Sequence, residues 1–81
     1  MLKDVPVEAI QPGDKVWAYG IRFMVKRNEY DAIGNVAGGV KPRRPRHVLV
    51  CDADAGQHVP AIYRKDMTLG RIVGELMTVE A

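Results

Sequence analysis

The chain has 81 residues, 12 Lys and Arg against 10 Asp and Glu, and a net charge of +2. That length supports a single domain over 1–81 with one modest core and no deep pocket, and a hydrophobic content of 47% argues against a wholly disordered chain. Neither a signal-peptide apolar region nor an apolar run near the ~18 residues of a membrane span is present, so a cytoplasmic location is expected. Cys51 is the single cysteine, which excludes an internal disulfide and a cysteine-rich zinc cage.

Gln11-Pro12-Gly13-Asp14 predicts a turn, because Pro12 presets its second position and Gly13 accepts the positive φ of the third. Lys15 to Arg27 then reads as a hairpin closed by Tyr19-Gly20, pairing Ala18 with Ile21, Trp17 with Arg22, Val16 with Phe23 and Lys15 with Met24. This register sorts the side chains: Val16, Ala18, Ile21, Phe23 and Val25 share one face, and Lys15, Trp17, Tyr19, Arg22, Met24 and Lys26 the other.

Residues 28–46 hold glycines and prolines without sustained periodicity and read as a long loop or β-arm, well beyond the usual ~4–6 residues of a connection. Val48–Cys51 is predicted as a short strand, and Val59–Tyr63 as a second, at an edge because of Pro60. A short helical turn near 65–69 and a final strand through Val73 or beyond complete the pattern, with a C-terminal helix as the competitor. The barrel core is thus expected in about 14–27 and 47–76.

Four to five short strands, one long connection and a helical turn before the last strand resemble the small SH3-like barrels, with Gly13-Asp14-x-Val16 where such domains often enter their first core strand. The resemblance implies a mainly β fold and no particular partner. A second one concerns chemistry. Gly13-Asp14-x-Val16, Val25-Lys26-Arg27 and Gly70-Arg71-Ile72-Val73-Gly74 look like the order of elements in the self-cleaving repressor and signal-peptidase barrel. That family uses a lysine as general base for a serine, which would match Lys26; the chain contains no serine, so the resemblance implies a scaffold without catalysis.

The charge pattern is sharper than the total. Residues 22–47 carry an excess of +5 between flanks of −1 and −2, and Lys41-Pro42-Arg43-Arg44-Pro45-Arg46-His47 concentrates four fixed cations. Arginine forks suit phosphate or carboxylate. The competing reading of this run is a solvated loop that keeps a small domain soluble. Lys15, Trp17, Tyr19, Arg22, Met24 and Lys26 interleave aromatics with cations as nucleic-acid platforms do, although Trp17 could instead stack with Arg22 or be covered by a terminus. Asp52, Asp54 and His58 fall short of a calcium loop because position twelve is Tyr63, and His47, Cys51 and His58 supply at most three ligands.

The expectation is therefore a non-enzymatic binding module without cofactor or metal. Lys41, Arg43, Arg44 and Arg46, extended by Lys26 and Arg27 and by Trp17, Tyr19 and Arg22, would engage an acidic protein surface. DNA or RNA is the alternative partner, no membrane is expected, and the aromatic face would also suit a homo-oligomer.

Overall fold

The hairpin forms in the expected register. In the computed structural model, which describes residues 1–32 and 45–80, β2 (Lys15–Ala18) pairs with β3 (Ile21–Asp31) through Lys15–Met24, Val16–Phe23, Trp17–Arg22 and Ala18–Ile21. Tyr19 and Gly20 both take positive φ, 55° and 72°, the mirror-image turn whose twist matches that of two paired strands. The preceding turn also closes as its sequence requires: Gly13 has φ 95°, and the Asp14 N–H donates to the Gln11 carbonyl at 3.1 Å.

Four further strands complete one antiparallel sheet: β1 (Leu2–Pro6), β4 (Arg46–Ala53), β5 (Met67–Ile72) and β6 (Leu76–Glu80). The order is β1-β6-β2-β3-β4-β5. The fold is thus mainly β, with six strands among the described residues rather than four to five, and the sheet is not closed. No α-helix occurs among the described residues, and none of its helical turns is long and apolar enough to cross a membrane.

Three local expectations are corrected. Val59–Tyr63 is not a strand: Pro60, at φ −57°, leads into a 3-10 turn over Ala61–Tyr63, closed by the Tyr63 N–H on the Pro60 carbonyl. The helical turn therefore precedes 65–69, most of which is β5. The sheet also continues past residue 76, because β6 is threaded between β1 and β2. Of the two readings of 28–46, the described ends fit a β-arm rather than a loop, since β3 and β4 stay paired to Asp31 and Arg46. Lys41, Arg43 and Arg44 lie outside the described residues.

The sheet cannot be flat. β5 and β6 are four strand spacings apart, about 19 Å at ~4.8 Å each. Only Val73, Gly74 and Glu75 join them, in a turn closed by the Glu75 N–H on the Ile72 carbonyl at 2.9 Å. Gly74 takes φ 89° there. Such a turn holds its ends within ~7 Å, so the sheet coils round and encloses Val16, Phe23, Val25, Leu49, Cys51, Leu69, Met77 and Val79. Val7 and Ile10, at the 3-10 turn Val7–Ala9 after β1, pack into the same cluster.

A β-bulge between Val25 and Arg27 sets the geometry of the arm. Lys26 has no partner in the β4 ladder, so the alternation shifts by one residue. Asn28 then falls on the inward side, opposite buried Leu49, and its amide donates to the carbonyls of Val7 (3.0 Å) and Ile10 (2.8 Å). One polar side chain thereby ties the arm to the start of the chain.

Candidate partner-binding surface

The outer hairpin face is an ion-pair network. Asp54 lies 3.0 Å from Lys15 Nζ and 2.9 Å from Arg22 Nε, and Arg22 Nη1 reaches Glu80 at 3.3 Å. The hydrogen bond from Lys15, with the nearby Arg22, holds the Asp54 carboxyl below the usual range. Gln57 fixes the Arg22 backbone as a neighbouring strand would: it accepts from the Arg22 N–H at 2.8 Å and donates to the Arg22 carbonyl at 2.7 Å.

Trp17 is half-buried on this face, opposite Thr78 of β6, with the Arg22 guanidinium carbon 6.0 Å from its ring centroid. The cation and the ring thus engage each other, and β6 flanks the tryptophan. Its Nε1 has no hydrogen-bond partner among the described residues. Tyr19 stacks on Tyr63 with ring centroids 6.1 Å apart and is otherwise exposed, as is neighbouring Ile62.

The remaining described cations of the basic middle third are also engaged. Lys26, carried outward at the bulge, lies 2.7 Å from Asp66 and 3.6 Å from Asp52. The hydrogen bond to Asp66 raises the Lys26 pKa above its ordinary value, opposite in direction to what a general base requires. Arg27 pairs with Glu29 at 2.9 Å, and Arg46 with Asp31 at 3.3 Å. Arg46 also lies along the outer side of β5, where its Nη1 is 3.2 Å from the place a Cβ of residue 70 would take. Trp17 and Arg22 are therefore together, as the alternation suggests, whereas Lys26, Arg27 and Arg46 sit in three separate carboxylate contacts.

Sequence reasoning missed the carboxylates. Asp52, Asp54, Asp66 and Glu80 are far from their cations along the chain, and only the strand order brings them together. No group of three metal-capable side chains exists among the described residues.

Lys41, Arg43 and Arg44 are the only charged residues in 33–44, so they contribute +3 of a total of +2, and the rest of the chain sums to −1. Compared with protein-family models, with curated proteins and with solved structures, the chain matches none.

Proposed function

We propose that the protein is a cytoplasmic, non-catalytic binding module on an SH3-like small-barrel scaffold, whose basic run at 41–47 docks on an acidic protein surface. The observation that carries this reading is the internal neutralisation of six of the nine described basic residues. Lys15, Arg22, Lys26, Arg27, Arg46 and Arg71 each have a carboxylate of the same chain within 4 Å, whereas Lys41, Arg43 and Arg44 bring the whole positive excess. Its role is that of an adaptor, inhibitor or assembly subunit of a larger complex.

The same network weighs against the nucleic-acid alternative. Asp54 and Glu80 occupy the Trp17 and Arg22 face where phosphates would have to lie, and a carboxylate there repels them.

The test replaces Lys41, Arg43 and Arg44 together by Glu, leaving Arg46 in place because it braces Asp31. In a pull-down from the source cell, loss of the captured acidic protein is expected, and an unchanged partner set overturns the proposal. Titration of duplex DNA separates the alternative. Binding with a log–log salt slope of roughly −3, one counterion for each of Lys41, Arg43 and Arg44, favours nucleic acid; no binding at about 50 mM salt removes it.

A further inference from the structure

An open sheet has two edges, and their hydrogen-bond parity can be read from the ladders. At β1, the Val7 N–H donates to the Glu75 carbonyl in the same register that pairs Lys3 with Val79 and Val5 with Met77. The odd residues of β1 therefore bond to β6, and Leu2, Asp4 and Pro6 turn their backbone groups outward. This edge is blocked against its own copy. Pro6 has no N–H, and an antiparallel two-fold pairing through these residues sets Lys3 against Lys3 or Asp4 against Asp4.

The other edge differs. The Val73 N–H donates to the Pro45 carbonyl in the register that pairs Arg71 with His47, Leu69 with Leu49 and Met67 with Cys51. Thr68, Gly70 and Ile72 then direct their backbone groups away from β4. Ile72 is satisfied by its own turn, with its N–H on Glu75 Oε1 and its carbonyl on the Glu75 N–H, and the Gly70 carbonyl accepts from Arg71 Nη1 at 2.8 Å. Among the described residues, the Thr68 N–H, the Thr68 carbonyl and the Gly70 N–H are left without a partner, at exposed positions. They match one hydrogen-bonded residue pair plus one further bond of an added strand.

The charges beside this edge select the strand. Asp66 is held by Lys26 and Glu75 by Arg71, while Arg64 and Lys65, which lead into β5, make no ion pair among the described residues.

We infer that the free edge of β5 at Thr68 and Gly70 receives an extended acidic segment of the partner by strand addition. This rests on the acidic-partner reading and adds how the partner is held.

The test uses isotope-labelled protein and a capped eight-residue peptide of alternating Glu and Val, with an alternating Lys and Val peptide as control. Saturable shifts of the Thr68 and Gly70 amides with the Glu peptide alone are expected, and titration that leaves both amides unmoved overturns the inference. Thr68→Pro removes an outward donor and no ladder bond, so at least tenfold weaker binding is expected, with unchanged spectral dispersion elsewhere showing that the variant folds. Binding that is lost on changing Lys41, Arg43 and Arg44 to Glu but retained in Thr68→Pro overturns strand addition and leaves the acidic-partner reading standing. Equal binding of both peptides overturns the charge selection. Shifts at Thr68 and Gly70 on concentrating the protein without peptide, together with a dimer by light scattering, overturn the inference in favour of self-pairing.

Discussion

The Asn28 side chain holds His47 in one tautomer. Its amide nitrogen donates to both the Val7 and Ile10 carbonyls, so the amide oxygen is the group that faces His47 Nδ1, at 2.7 Å. An oxygen can only accept, and Nδ1 must carry the hydrogen. Tyr30 rests beside the same imidazole, with ring centroids 5.3 Å apart. Asn28→Asp removes both donors and sets a carboxylate against two carbonyls; a loss of about 2–3 kcal/mol in urea unfolding is expected. Nitrogen shifts of the neutral His47 ring should report the Nδ1–H form in the parent, and an Nε2–H form contradicts the assignment.

Gln57→Ala should cost about 1–2 kcal/mol, since the Arg22 N–H and carbonyl lose the amide that pairs with them. Gln57→Glu should be nearly as damaging, because it keeps an acceptor and loses the donor that serves the carbonyls of Arg22 and Asp54. Chemical denaturation of the two variants side by side checks this, and a neutral Gln57→Glu refutes it.

Two glycines should respond with opposite signs. Gly20 takes φ 72°, so Gly20→Ala is expected to lose about 1 kcal/mol although nothing lies within 4 Å of the added methyl. At Gly70 only the far end of the Arg46 side chain is close, and it can swing away. A gain of up to about 0.5 kcal/mol is expected for Gly70→Ala, from the lower entropy of the unfolded chain. The shift in denaturation midpoint of each variant gives the sign.

Stability should fall at both ends of the pH scale. Lys15 lowers the Asp54 pKa and Lys26 lowers that of Asp66, so their contribution is complete above the ordinary value of 3.8 and is lost as pH drops through the lower folded values. At the alkaline end, burial pushes the Cys51 thiol from 9.0 to about 11, with Asp52 adding to the effect. The thiol's contribution is complete below pH 9.0 and declines as pH rises to about 11, by roughly 2–3 kcal/mol in all. Lys26, raised above 10.5 by Asp66, adds to that alkaline loss. Unfolding curves of Cys51→Ala should lack the part of the decline between pH 9 and 11; an unaltered alkaline limb contradicts the assignment.

Local chemistry was enough to determine the hairpin. Alternation from Lys15 to Val25 admits one register that keeps Val16, Phe23 and Val25 on one side, and the structure adopts it. The turn at Pro12-Gly13 and the placing of Trp17 beside Arg22 follow from the same short-range rules. Composition and periodicity likewise determined a mainly β chain, and the charge count alone places its positive excess in residues 22–47.

Tertiary structure decided the rest, because the deciding partners are far apart in the chain. β1 and β6 have little alternation of their own, and each becomes a strand by pairing with the other and, for β6, with β2. The bulge at Lys26 turns Asn28 inward, a shift of one residue that no periodicity announces. Which cations are neutralised depends on carboxylates delivered by other strands, such as Asp54 to Lys15 and Arg22, and Asp66 to Lys26. The open edge at Thr68 and Gly70 is a property of strand order, since a strand becomes an edge only through what fails to pair with it.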